Sequence, residues 1–317
     1  MPILLVKTSS LGDVVHNLPV VSDLRRHFPE AAIDWVVEEG FADIPRLHPA
    51  VRRVIPVAVR RWRKAPAAPA TWREIGALRR LLRAETYDDV LDTQGLLKSA
   101  LIARLARGSH LGFARDSVRE PLAACLYERG LTVARDLHAV ERNRALAGAA
   151  FAYRPGPALD YGIAAAPLAA AWLPLPPYAV LLTATSRDDK LWPEDDWLAL
   201  GAGLAKRGLS CVLPGGTAAE RGRTARLAAR LPRAVAVPPL ELRQLAGLLA
   251  GAALVVGVDT GLAHLAAALR RPTLGLYCAT DPRLTGVYAG DTALNLGGPG
   301  AAPSLASVMA AAEPWLP

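Results

Sequence analysis

Apolar and polar positions in the first half of the chain fall into short alternating blocks. Residues 3–7 form an apolar run that predicts a first strand. A loop over 8–13 follows, then apolar residues at helical spacing as far as Phe28, then a strand-like run at 33–37. Residues 53–59 read as another strand, 72–84 as a helix with exposed arginines, and 88–92 as a strand ending in Thr93-Gln94-Gly95 before a helix over 96–106. Residues 153–177 are rich in Pro, Ala and Gly and read as a linker. Beyond it the alternation is clearer. Strands are predicted at 178–183, 210–213, 234–237, 254–258 and 273–277, and helices at 218–229, 240–249, 261–269 and 304–312. Another helix is opened by Pro193, with Glu194, Asp195 and Asp196 favouring its positive end, and closes near Gly208. Repeated βα units of this kind predict parallel sheets covered by helices, arranged as two Rossmann-like domains.

Length agrees, since 317 residues suit two domains. With 52% hydrophobic and 21% charged residues, disorder is excluded. The charge is uneven: residues 1–156 hold 24 basic and 17 acidic side chains, which takes up almost all of the chain's net +8. The first half is therefore expected to meet an acidic partner. Cys125, Cys211 and Cys278 lie far apart, which fits a reducing compartment rather than a disulfide framework. The six histidines form no metal-ligand spacing, so no metal is expected. Two uncharged stretches, 161–186 and 245–258, are broken by prolines or are short and glycine-containing, and neither is expected to span a membrane.

Three strand-to-helix loops could carry chemistry. Thr8-Ser9-Ser10-Leu11-Gly12-Asp13 lacks a phosphate-loop pattern. An aspartate at that helix mouth would repel phosphate, so Asp13 suits proton acceptance, and a plain helix cap fits it equally. Asp259-Thr260-Gly261 could present helix amides to a diphosphate, with His264 beyond; Asp259 as a simple cap and His264 as packing is the alternative. Thr185, Ser186 and Lys190 suit anionic oxygens or merely form a solvated loop. Arg60, Arg61, Arg63 and Lys64 surround Trp62, either as a solvated surface loop or as a grip on carboxylates and phosphates. Nucleic acid is the weaker partner, because interleaved aromatics are missing.

Across nearly its whole length the chain resembles the heptosyltransferases of glycosyltransferase family 9. The resemblance rests on VKTSSLGDVVHNLP, DWVVEEGFADIP, RVIPVAVRRWRK, LDTQGLLKSALIARLA, REPLA, HAVERNR, ATSRDDKLWPEDDW and VDTGLAHLAAAL. It implies a GT-B fold, two Rossmann-like domains facing a central cleft. The expected boundaries are 1–165 for an acceptor domain and 166–317 for an ADP-heptose domain, whose final helix returns to the first. It implies inverting transfer of L-glycero-D-manno-heptose from ADP-heptose to Kdo on Kdo2-lipid A, without cofactor or metal. The protein would be a peripheral monomer at the cytoplasmic face of the inner membrane. Asp13 matches the family's base and Lys190 its diphosphate lysine. Thr185, Ser186, Glu220, Leu240, Asp259, Thr260, Gly261 and His264 fall on the donor side; Glu220 aligns with a ribose-binding glutamate. Ser10, Gly12, Arg60, Arg61, Lys64, Gln94, Lys98, Arg119 and His138 fall on the acceptor side. The pattern departs at Cys278-Ala279, where the family commonly has Gly-Pro before Thr-Asp. Heptosyltransferase II, acting on a heptosylated acceptor, is the alternative; RVIPVAVRRWRK and DWVVEE favour Kdo.

Overall fold

Parallel pairing organises the whole chain, as the βα alternation requires. A computed structural model describes residues 1–185 and 187–317 and divides into two compact units, Met1–Ile163 and Ala164–Pro317. The division falls inside the 153–177 stretch, which carries no helix or strand.

The first unit contains β1 (Pro2–Val6), β2 (Ala32–Glu38), β3 (Val51–Val57), β4 (Thr86–Asp92), β5 (Arg107–Phe113) and β6 (Arg129–Leu131), in the order β3-β2-β1-β4-β5-β6. The second contains β7 (Tyr178–Leu182), β8 (Ser210–Leu213), β9 (Ala234–Ala236), β10 (Leu254–Val258), β11 (Thr273–Tyr277) and β12 (Ala293–Gly297), in the order β12-β11-β10-β7-β8-β9. Counted from its own first strand, the second order is the first one read from the opposite edge. Each sheet therefore has one point where the chain reverses direction, between β1 and β4 and between β7 and β10, and ligands bind beyond the carboxyl ends of strands at such points. Strands β7, β10 and β11 are wholly buried, which is why they read as apolar runs rather than alternations.

The helices of the first unit are α1 (Leu11–Val15), α2 (Leu18–His27), α3 (Asp43–Arg46), α4 (Val59–Lys64), α5 (Pro69–Arg83), α6 (Leu97–Ala103) and α7 (Ala139–Phe151). Those of the second are α8 (Glu194–Lys206), α9 (Ala218–Arg230), α10 (Leu242–Ala250), α11 (Gly261–Ala268), α12 (Pro282–Thr285) and α13 (Leu305–Ala312). Two expectations change. The first long helix is two, because Pro19 opens a new one after Asn17. The basic cluster expected as a loop is the short helix α4. The last helix, α13, packs on α8, with Val308 and Ala312 in the core of its own unit.

Asp34, fully buried on β2, explains the Arg52-Arg53 pair of β3 without a ligand. Both guanidiniums and the Tyr87 hydroxyl donate to its carboxylate at 2.7–3.1 Å. Burial works against that charge, but the hydrogen bonds overcome it and hold the carboxyl below its usual range.

Candidate functional site

In the first unit, the loops after β1 and β4 meet at the reversal point. Asp92, fully buried at the end of β4, accepts from the Ser99 and Tyr127 hydroxyls at 2.7 and 2.8 Å and from the Gln94 amide N–H at 2.8 Å. Burial pushes its carboxyl up, against those hydrogen bonds. Gly112 on β5 makes room for the Tyr127 ring: a Cβ there would lie 2.4 Å from it. Fixed in this way, Gln94 grips the β1 loop with its whole side-chain amide. Its Oε1 accepts from Thr8 N at 2.7 Å, Thr8 Oγ1 at 3.0 Å and Ser9 N at 3.1 Å, while Nε2 donates to Ser9 O. Lys98 Nζ donates to Ser9 Oγ at 2.8 Å.

That loop delivers Asp13. Ser10 N and Ser10 Oγ both donate to Asp13 Oδ2, at 2.7 and 2.9 Å. The capping role is thus real, and it leaves Oδ1 without a hydrogen-bond partner among the described residues. Beneath lies the buried ammonium of Lys7, donating to Thr93 O at 2.8 Å. Burial lowers its pKa; the fields of Asp13 and Asp92 oppose the shift. Burial likewise lowers the pKa of Lys98, against the field of Glu38.

The remaining acceptor-side candidates divide. Arg60 lies over the Phe41 ring at 4.8 Å, and its backbone N–H donates to Glu38. Arg61 is committed to Glu39 and Glu74. Lys64 and Arg119 are exposed, and Gly12 is buried in α1. His138 accepts from Val140 N at 3.2 Å as the cap of α7, its ring edge-on to His16.

In the second unit, the loops after β7 and β10 are joined by Asp259. Its Oδ2 accepts from Lys190 Nζ at 2.6 Å and Thr280 Oγ1 at 2.8 Å, and its backbone carbonyl accepts from Thr185 Oγ1 at 2.7 Å. His264 Nε2 stands 4.0 Å from Oδ1. Thr260 caps α11 without a side-chain hydrogen bond to its amides, so the helix starting at Gly261 presents them outward. Beside these groups opens a pocket of about 240 Å³, whose lining includes Thr185, Thr260, Glu220 and Leu240, four of the expected donor residues. Glu220 is set by the first turn of α9: its Oε2 accepts from Gly216 N and Thr217 N at 2.8 and 2.9 Å. Leu240 lies before α10 rather than in it. Ser186 lies outside the described residues.

The sequence reading missed Thr280 and the pocket walls Pro214, Gly215, Gly216 and Pro238. The Pro-Gly-Gly after β8 was the available signal. A Cβ on Gly215 would meet Arg221 N at 2.8 Å, so only glycine lets α9 start so close to the strand.

A pair of doubly wound units, one with a carboxylate-bearing loop and the other with a lysine beside an apolar-walled pocket, is the architecture of a GT-B glycosyltransferase. Residues 75–309 match the model of glycosyltransferase family 9 (heptosyltransferase), and the chain belongs to that family. It is 48% identical over 290 residues to lipopolysaccharide heptosyltransferase 1 of Escherichia coli, covering 91% of each chain. To the Pseudomonas aeruginosa protein of the same name it is 49% identical over 302 residues, 94% of this chain and 84% of that one. Its structure resembles that of the E. coli heptosyltransferase WaaC with ADP, at a TM-score of 0.90 and 45% identity, covering 99% of this chain and 98% of that one.

Proposed function

We propose that this protein transfers L-glycero-D-manno-heptose from ADP-L-glycero-β-D-manno-heptose to the 5-hydroxyl of Kdo on Kdo2-lipid A, inverting the anomeric centre. The observation that carries the reading is the carboxylate of Asp13, with one oxygen pinned by Ser10 and the other open. The choice of donor and acceptor is supported by the heptosyltransferase 1 relatives at 48–49% identity.

The chemistry needs little more than these groups supply. As the Kdo oxygen bonds to the anomeric carbon, its proton passes to Asp13 Oδ1. The bond from that carbon to the phosphate oxygen breaks, and ADP departs with the electron pair. A glycosidase must also protonate a poor leaving group with a second carboxyl, whereas a diphosphate leaves as a stable anion. Lys190, held in place by Asp259, and the outward amides of α11 meet the departing charge. Adenosine fits the pocket, its ribose hydroxyls on Glu220 and its base against Leu240, Pro214 and Pro238. Arg60, Lys64 and Arg119 face the acidic acceptor. A metal is not needed for this step, and the protein works as a peripheral monomer on the cytoplasmic face of the inner membrane.

The test is transfer from ADP-heptose to Kdo2-lipid A and to its heptosylated product, side by side, with EDTA present. Addition of one heptose to the first acceptor and none to the second is expected. Transfer to the heptosylated acceptor alone would move the protein to the heptosyltransferase II activity.

A further inference from the structure

Helix α5 carries an outer stripe that the proposed chemistry does not use. Trp72, Gly76, Arg79, Arg80 and Arg83 recur at spacings of four, three, one and three, which places them along one side of the helix. Gly76, Arg79, Arg80 and Arg83 line an open groove of about 440 Å³. The inner side of the same helix is occupied by Leu78 and Leu82 in the sheet's core.

Two features separate this stripe from an ordinary solvated face. First, its arginines have no acid. Arg79, Arg80 and Arg83 make no ion pair among the described residues. The acids nearest in sequence are engaged elsewhere: Glu74 with Arg61 and Trp62, Glu85 with Arg52 and Arg53. Second, large apolar side chains stand exposed in the same helical layer. Trp72 is 64% exposed; on α6, which packs on the same face of the sheet, Leu101 is 53% exposed with Leu97 one turn before it. Leu122, in the turn packed on α6, is 68% exposed. Nucleic acid or free phosphate would account for the arginines and not for the leucines. An anionic lipid surface accounts for both: arginines reach headgroup phosphates while tryptophan and leucine enter the interface. Among the described residues no helix is long and apolar enough to cross a membrane, so contact would be with the surface.

We propose that the outer face of α5 and α6 is a docking surface for an anionic lipid bilayer. The choice of a bilayer rests on the lipid acceptor of the proposed function. The experiment is co-sedimentation of the full chain with phosphatidylglycerol-containing vesicles, with pure phosphatidylcholine vesicles and with a short DNA duplex, none of which involves donor or acceptor. Binding to the anionic vesicles that falls with salt is expected, with little to the neutral ones. Arg79→Gln/Arg80→Gln/Arg83→Gln should weaken it at least about tenfold, Trp72→Ala should weaken it less, and the matching triple lysine variant should keep it. Wild-type protein left in the supernatant, equal binding by the glutamine variant, or DNA binding without vesicle binding would overturn the surface. Vesicle binding without heptose transfer would leave the surface standing and count against the proposed function.

Discussion

The same topological position is built in two ways in this chain. At the β1/β4 reversal the two loops are laced together: the Gln94 amide takes up the backbone of Thr8 and Ser9, and Asp92 holds Gln94. At the β7/β10 reversal the loops, among the described residues, are hydrogen-bonded to each other through Asp259, and the side towards β8 stays open as an apolar-walled pocket. The first arrangement fixes one carboxylate; the second leaves a pocket of about 240 Å³. Identical strand order does not dictate which results, because the difference lies entirely in loop side chains. A carboxylate that removes a proton must be positioned closely, whereas a nucleotide can be gripped by shape and a few polar groups.

The comparison breaks most visibly at Asp13. Asp13→Ala should lower turnover about 10²- to 10⁴-fold, the range for loss of a general base, while ADP affinity measured by calorimetry stays close to wild type, because the groups proposed for the nucleotide all lie in the second unit. Unchanged turnover would reduce Asp13 to the helix cap that its contact with Ser10 also makes it.

Lys190→Ala tests the other half. Removing a cation aimed at developing charge should cost about 10²- to 10³-fold in turnover. ADP affinity should fall as well, and adenosine affinity should not, since the pocket lining includes Thr185, Glu220 and Leu240 but not Lys190. Loss of adenosine binding would mean that Lys190 supports the pocket rather than the diphosphate.

How much of this was legible depended on the kind of contact. Strands buried on both faces announce themselves as apolar runs, so β1, β7 and β10 were read almost to the residue. Strand β5, Arg-Gly-Ser-His-Leu-Gly-Phe, was not read, because its glycines answer to a neighbour: Gly112 is small for the sake of Tyr127. Short-range chemistry was legible too. Asp13, Asp259 and Lys190 sit where the chain passes from a strand to the next helix, where a cap or an anion grip is expected. What sequence does not carry is which distant loops meet. Gln94 lies 85 or 86 positions from the residues it holds, and Thr280 lies 21 from Asp259. Their amide and hydroxyl become informative only once the sheet order brings the loops together.

Gln94 is where the two readings of the acceptor side part. The resemblance places it among acceptor contacts, yet its side-chain amide is already committed to loop backbone, with Oε1 accepting three hydrogen bonds and Nε2 donating to Ser9 O. These contacts favour a positioning role for Gln94 in the segment that leads into Asp13. Gln94→Glu keeps the accepting oxygen and turns a second one towards the Ser9 carbonyl, so the loop must shift or the carboxyl must bind a proton in a part-buried place. Turnover should fall about tenfold, because a misplacement of the base of even an ångström is costly, with KM for Kdo2-lipid A and for ADP-heptose little changed. A residue that touched the acceptor would show the opposite split, a raised KM at nearly constant turnover.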